Sequence, residues 1–588
     1  MPARDVLKKI FPCLLWLQEY RRQTFASDVV AALIVTIMLI PQSLAYALLA
    51  GLPPETGLYA SILPLMAYAV FGTSRTLAVG PVAVVSLMTA AAISDMSANS
   101  ALSALQAAML LAWLSGALLL LLGLLRAGFL ASFLSHPVVA GFITASGIII
   151  ALSQLKHLLG ISASGDTLPE LLHTIIGSIA EVNPATALIG SGTLLFLYWA
   201  RTGLKGLLER TVLSGYAAGI IARIAPVFAV IITSALAYKL NLAEHGVALM
   251  GRIPSGLPSL QLPSLDLDAA RLLLVPAVMI SIIGYVESVS VGKTLATRRR
   301  QKIDPDQELI GLGSANIASA LSGGFPVTGG FSRSVVNDDA GAQTPAASFF
   351  TAMGIACITL WLTDYLVWLP NATLAATIMI AVLSLVDFSI LRHTWNYALS
   401  DFIAVITTLL VTLLFGVEIG VACGVGSSLV LHLYKTSRPH IAEVGEIEGT
   451  EHFRNVHRHK VLTHPELLSL RVDARLYFAN ASYIEDEILR SLHERPGLRH
   501  VILMCSAVNE IDISALEVLE GLNEGLREQG IGFHLSEVKG PVMDALKKTH
   551  FVEHLNGQVF LSQHQAVQTL RSPNTEDAQS AQTETPAS

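Results

Sequence analysis

The chain has 588 residues, of which 53% are hydrophobic and 14% charged, against roughly 25% charged in an average soluble protein. That balance excludes an ordinary soluble globular chain, and a net charge of −7 points to no particular partner. Four scattered cysteines (Cys13, Cys357, Cys423, Cys505) form no CxxC pair, which argues against a zinc centre or a disulfide framework. No nucleophile–base–acid set and no metal-ligand spacing is present, so an enzyme, a cofactor, a metal and a nucleic-acid partner are not expected.

Residues 1–24 form an N-terminal segment with Arg4, Lys8, Lys9, Arg21 and Arg22. The segment lacks the apolar core and small-residue exit of a cleavable leader, and its positive charge predicts a cytoplasmic location. A transmembrane domain is expected over 25–436. Residues 104–125 carry no charge and are long enough to cross about 30 Å of hydrocarbon as a helix. The stretches 29–50, 56–72, 129–155, 185–200, 272–286, 346–363, 372–386 and 402–434 read the same way. The last accommodates two crossings, with Gly416 to Gly420 as the turn.

Two short segments interrupt this pattern. One is Thr76-Leu77-Ala78-Val79-Gly80-Pro81-Val82-Ala83-Val84-Val85-Ser86; the other is Gly324-Phe325-Pro326-Val327-Thr328-Gly329-Gly330-Phe331-Ser332-Arg333-Ser334. Each reads as a few extended residues, a breaker and a helix start. Broken backbone inside a membrane survives only when packed in protein or lining a cavity, and paired breaks in two halves point to a transporter's binding site. The basic clusters Arg201/Lys205/Arg210 and Arg298–Lys302 are expected on the cytoplasmic side, near lipid headgroups in the second case. The turns 51–55, 95–103 and 364–371 have no Lys or Arg and are expected outside, together with a long loop carrying Lys239, Arg252 and Arg271.

Beyond residue 436 the composition turns polar. Residues 437–464 read as a linker that holds five histidines. Over 465–571 the pattern alternates between strands and amphipathic helices: strands at 467–472, 501–504 and 531–535, and helices at 481–494, 513–529 and 540–549. That alternation predicts a small α/β domain. The tail 572–588 has too little apolar surface to fold and is expected to be disordered.

Several long motifs resemble the SulP (sulfate permease) family of anion transporters. They are Pro41-Gln42-Ser43-Leu44-Ala45-Tyr46-Ala47, the run from Leu49 to Tyr59, Phe71-Gly72-Thr73-Ser74-Arg75, Ser135-His136-Pro137-Val138-Val139-Ala140-Gly141-Phe142, and Phe331-Ser332-Arg333-Ser334-Val335-Val336-Asn337. The C-terminal part resembles that family's STAS domain. The resemblance covers roughly 12–570. It implies fourteen membrane segments in two inverted seven-segment repeats, divided into core and gate domains, a homodimer, and a multi-pass protein of the cell membrane with both termini in the cytoplasm.

An inverted repeat directs two half-helix N-termini at each other, each with unpaired N–H groups and about half a positive charge, which suits an anion. The expected binding set is Pro81, Val82 and Ala83 at one start and Gly329, Gly330, Phe331, Ser332 and Arg333 at the other, joined by Gln42 and Tyr46, which share a helix face. Pro81 suits a first helical turn, Gly329 and Gly330 allow close backbone approach, and Ser332 offers a hydroxyl. The alternative is that the glycines and prolines serve helix packing alone.

Glu287 is an intramembrane carboxylate, functional by default. Desolvation favours its neutral form, so it suits proton coupling; the alternative is a fixed ion pair with Arg333. Sodium–bicarbonate symporters of the family place a hydroxyl one turn after this carboxylate, where Val291 stands here. His136, His432 and Glu418 read as packed, interfacial or solvated groups. In the α/β domain, Ser514 resembles the phosphorylated serine of anti-sigma antagonists, and Asp512 or Ser514 is the expected helix cap. The reading is a proton-coupled sulfate symporter working by alternating access. Bicarbonate, chloride or a dicarboxylate as the anion, sodium coupling or exchange, a prestin-like motor or channel, and a scaffold that binds a cytosolic partner through the STAS domain remain as alternatives.

Overall fold

The computed structural model describes residues 11–571, apart from 19, 98–101, 133–134, 166, 211–217, 220, 223, 265 and 362; for 95, 97, 130–132, 136, 332 and 418 it describes the backbone alone. The expected tail 572–588, the first ten residues, and the side chains of His136, Ser332 and Glu418 therefore lie outside the described residues. Contacts divide the chain into Met1–Ser428 and Leu429–Ser588.

The first unit is helical. Helix α1 spans Arg22–Leu49 and contains Pro41, which removes one helical hydrogen bond just before Gln42. Helix α2 is Leu63–Phe71. A two-residue strand β1, Val79–Gly80, then leads into α3, Ala83–Ser97. Helix α4, Ala104–Leu124, opens on a capping box in which Ser103 and Gln106 satisfy each other's backbone N–H. Helices α5 (His136–Ser153), α6 (Pro184–Trp199) and α7 (Ala225–Lys239) follow.

The second half opens with α8, Leu267–Arg298, and α9, Pro305–Leu321. Strand β2, Thr328–Gly329, leads into α10, Phe331–Asp339. Then come α11 (Ala346–Trp361), α12 (Asn371–Leu383), α13 (Leu399–Phe415) and α14 (Val417–Ser437). Among the described residues, α1, α4, α8 and the stretch Pro137–Leu159 are long and apolar enough to cross a membrane by themselves.

Two differences from the sequence reading have clear causes. The stretch 402–434 does hold two helices, but the turn is Gly416 alone, at φ +94°, a conformation that side-chain-bearing residues avoid. Helix α9 was not read as membrane-embedded, because Asp306 and Glu308 lower its apparent hydropathy. It nonetheless packs closely along α4. A Cβ on Gly116 would lie 2.8 Å from the Ile317 nitrogen, and one on Gly313 would lie 2.8 Å from the Leu120 nitrogen, so the bare backbones set the helix spacing.

The second unit is built on a six-stranded sheet in the order β4-β3-β5-β6-β7-β8. Its strands are β3 (Ile441–Glu446), β4 (Phe453–Asn455), β5 (Leu467–Val472), β6 (His500–Met504), β7 (Gly532–Ser536) and β8 (Val559–Phe560). Strands β5 to β8 run parallel, while β3 is antiparallel to both neighbours. Helices α15 (Ala481–Glu494) and α16 (Ile513–Glu528) turn Ile484, Ile488, Leu519 and Leu526 onto Leu470, Val501 and Phe533. The stretch 437–464, expected as a linker, contributes β3 and β4 to this sheet. Its histidines and acidic residues hid a strand in which Ala442 and Val444 alternate inward.

Candidate functional site

The two interruptions meet. Strand β1 pairs antiparallel with β2, placing Val79 opposite Gly329 and Gly80 opposite Thr328. Each strand leads through a break of one or two residues into a helix start. The first bond inside α3 is Ser86 N–H to Val82 O, and the first inside α10 is Ser334 N–H to Gly330 O. The N–H groups of residues 83–85 and of residues 331–333 therefore have no acceptor within their own helices.

A cavity of about 40 Å³ lies at these two starts. Since about 10–15 Å³ on this measure holds one water, the space suits a few waters or one small oxyanion. Pro81, Val82, Ala83 and Val84 border it from α3, Gly330, Phe331 and Arg333 from α10, Gln42 and Tyr46 from α1, and Glu287 from α8. The remaining wall is Ala381, Val382 and Leu385, on and just after α12.

Arg333 is the strongest electrostatic feature. It is 3% exposed, and its Nη2 donates to Gly80 O at 2.7 Å, Pro81 O at 2.6 Å and Thr328 O at 3.3 Å. One guanidinium thus ties the second junction to the carbonyls of the first. Its Nη1 is buried without a hydrogen-bond partner. The ion pair with Glu287, considered from sequence, is not formed: among the described residues the Glu287 carboxylate makes no ion pair and no hydrogen bond. Two fully buried carboxylates behave differently from this half-buried one. Glu308 accepts from the Tyr68 hydroxyl, the Thr73 N–H and hydroxyl, and the Ser74 N–H. Asp28 accepts from the Tyr20 hydroxyl, the Gln343 N–H, and the N–H and hydroxyl of Thr344.

A polar lattice behind the cavity wall holds the junctions in place. The Ser334 hydroxyl accepts from Ala78 N–H and donates to Gly330 O. Asn337 donates to Thr76 O. The Gly329 N–H donates to Ser288 Oγ at 2.8 Å, and Asn316 exchanges two hydrogen bonds with the Val327 backbone.

Three readings of individual residues change. Pro81 is not in the first turn of its helix; Val82 occupies the cap position and Ala83 is the first helical residue. Gly329 does not border the cavity. It is small because a Cβ there would sit 2.8 Å from Leu77 Cδ1 and 2.9 Å from Ser288 Oγ. Gly330 borders the cavity, but a Cβ on it would lie 2.5 Å from Arg333 Nε, and one on Gly80 would lie 2.6 Å from Arg333 Nη1. These two glycines make room for the guanidinium. Ser332 is the second residue of α10.

The cavity wall from α12 escaped the sequence reading, since Ala381, Val382 and Leu385 belong to a smooth apolar run with no marker. Gln42 and Ala381 also border a second chamber of about 360 Å³ whose walls include Arg201 and Lys205. In the second unit, Asp512 caps α16 by accepting from Ala515 N–H at 2.8 Å, and Ser514 is a half-buried residue of the first turn. His432 is exposed.

The chain is similar to known proteins over nearly its whole length. The model of the sulfate permease family matches residues 25–408, and that of the STAS domain matches 459–566. A relative from Arabidopsis thaliana, "Probable sulfate transporter 4.2", is 38% identical over 584 residues, covering 96% of this chain and 84% of that protein. "Probable sulfate transporter MT1781" of Mycobacterium tuberculosis is 31% identical over 563 residues, covering 95% and 98%. Among solved structures, SLC26A9 superposes with a TM-score of 0.87 at 22% identity over 99% of this chain and 95% of that one. The transmembrane domain of the cyanobacterial bicarbonate transporter BicA gives 0.59 at 20% identity over 70% of this chain and 98% of that domain. The chain belongs to the sulfate permease family, with a polytopic helical membrane domain followed by a STAS domain, and is a transport protein rather than an enzyme.

Proposed function

We propose that this family member carries sulfate by proton-coupled symport, with the anion seated between the starts of α3 and α10 and the proton on Glu287. The observation that carries the proposal is one small cavity bordered by both helix starts, by Arg333 with an unpaired Nη1, and by a carboxylate that makes no hydrogen bond or ion pair among the described residues. The two half-helix dipoles and one guanidinium supply a positive field without filling the cavity. An ionised Glu287 cancels much of that field; a protonated one leaves it intact. Anion and proton therefore favour one another, as symport requires. Sulfate is chosen because relatives matched over 84% and 98% of their own length carry that substrate in their names.

Access follows from the wall structure. Helices α1, α3, α8 and α10 form one side and α12 the other, so movement between these groups opens the site alternately. The chamber with Arg201 and Lys205 is the approach from the basic, cytoplasmic side, where both termini also lie. The transporter acts as a homodimer in the cell membrane, and its STAS domain is a surface for a cytosolic partner.

The test is uptake of labelled sulfate, bicarbonate and succinate into proteoliposomes, with and without an inward proton gradient. Sulfate should accumulate only with the gradient. In Glu287→Gln, sulfate–sulfate exchange should survive within a few-fold, while gradient-driven accumulation and its pH dependence should be lost. A folded Glu287→Gln protein that still concentrates sulfate with the normal pH profile would refute proton coupling through this residue.

A further inference from the structure

Glu287 and Arg333 border the same cavity and form no ion pair, yet one residue links the backbones that carry them. Thr328 of β2 is 2% exposed. Its hydroxyl donates to Gly284 O at 2.6 Å and lies 2.7 Å from Ser288 Oγ, and its carbonyl accepts from Arg333 Nη2 at 3.3 Å. Gly284 and Ser288 bound the turn of α8 that contains Glu287. A carbonyl only accepts, so the one Thr328 hydroxyl proton goes to Gly284 O and the Ser288 O–H donates to Thr328 Oγ1. Ser288 Oγ in turn accepts from Gly329 N–H at 2.8 Å. The bonds run one way, from Gly329 through Ser288 and Thr328 to Gly284.

This is not the default for a buried helical hydroxyl. Ser281, Thr351 and Thr408 donate to the carbonyls four residues back, Ala277 O, Ala347 O and Ala404 O, at 2.7, 2.9 and 2.7 Å. For Ser288 that carbonyl is Gly284 O, which Thr328 takes instead. Two glycines let α8 and the junction approach this closely. A Cβ on Gly284 would lie 3.0 Å from Thr328 Oγ1, and one on Gly329 would lie 2.9 Å from Ser288 Oγ.

We propose that Thr328 and Ser288 are positioning residues for proton–sulfate coupling, holding the turn of Glu287 and the junction of Arg333 at a fixed spacing. The inference rests on the reading of Glu287 as the proton carrier. Neither Thr328 nor Ser288 borders the cavity; each acts through the backbone it holds. Because carboxylate and guanidinium are unpaired, the proton acts on the anion through the field across the cavity, which falls with distance. The hydroxyl chain sets that distance in place of a direct ion pair.

The experiment compares sulfate–sulfate exchange with proton-driven sulfate accumulation in the same proteoliposomes. Thr328→Val matches threonine in shape and orphans no donor, since Ser288 can fall back on Gly284 O as Ser281 does on Ala277 O. Exchange should survive within about twofold, while accumulation falls about fivefold, the worth of one hydrogen bond, and the pH dependence of sulfate KM flattens. Thr328→Ser, which keeps the hydroxyl, should match the parent. Ser288→Ala should uncouple to a similar degree, and the Ser288→Ala/Thr328→Val pair no further than the worse single change, because one chain is broken once. Parent-like accumulation and pH profile in Thr328→Val would overturn the proposal. So would a Thr328→Ser protein as defective as Thr328→Val, additive losses in the pair, or exchange lost together with accumulation in both single variants. Glu287→Gln separates the two readings. If it still concentrates sulfate, the proton assignment itself fails; if it uncouples while Thr328→Val does not, the positioning role alone fails.

Discussion

The two junctions at the candidate site share a backbone plan but not a chemistry. Both run strand, short break, helix, and they pair with each other through β1 and β2. From Leu77 to Val85 the first junction is apolar, with Gly80 and Pro81 at its break. It contributes backbone alone: N–H groups beside the cavity that have no acceptor in their own helix, and two carbonyls that accept from Arg333. The second carries Arg333, Ser334 and Asn337, whose side chains bind the two junctions together, and Thr328, whose hydroxyl donates to Gly284 O of α8. Backbone donors are thus supplied twice, and the fixed charge once. A site built this way can read charge and size from a symmetric cradle while one half alone holds the cradle in register.

The largest effect should come from removing that charge. Arg333→Gln should reduce sulfate uptake by about a hundredfold, equivalent to about 3 kcal/mol. It should also lower Tm, because buried carbonyls left unpaired cost about 1–3 kcal/mol each. Uptake within threefold of the parent protein would mean that the second junction is not the charged half of the site. A smaller loss is expected for Gly80→Ala, whose new Cβ would meet Arg333 Nη1 at 2.6 Å. The guanidinium must shift while the charge is kept, so the apparent sulfate KM should rise about tenfold with a lesser change in maximal rate. A change confined to maximal rate would separate Gly80 from anion binding. The smallest effect belongs to Pro81→Ala. Pro81 precedes the cap residue of α3 and contributes a carbonyl that alanine also has, so uptake should stay within about twofold. A severe loss would show that the first junction depends on its proline, and that the contrast between the halves is weaker than their side chains indicate.

Three carboxylates of the membrane domain make a related contrast. Glu308 and Asp28 each clamp a loop through four donors, whereas Glu287 faces the cavity with none. All three are acidic residues in apolar surroundings, and sequence singled out only Glu287. Glu308 lies in the first turn of α9, where an acidic residue reads as an ordinary group, and Asp28 lies in the second turn of α1, close to the basic residues at its entry.

Sequence by itself determined the membrane class, since long uncharged runs have no other stable solution than spanning helices. It also located both junctions, because Gly and Pro act on the chain locally wherever they stand, and it placed the interior strands and helices of the STAS domain, whose periodicities of 2 and 3.6 are written in neighbouring residues. Tertiary structure alone decided which partners these residues meet. Arg333 binds carbonyls more than 250 positions away rather than Glu287, Gly80 and Gly330 are small for the sake of that guanidinium, and α12 closes the cavity with unmarked alanine, valine and leucine. The strand Ile441–Glu446 likewise exists through pairing with Leu467–Val472, and α9 sits among membrane helices because Glu308 is satisfied by Tyr68, Thr73 and Ser74 from the other half of the chain. Local pattern records what a residue does to its neighbours in sequence, whereas contacts across 250 residues depend on how whole helices register against one another, and no window along the chain contains both partners.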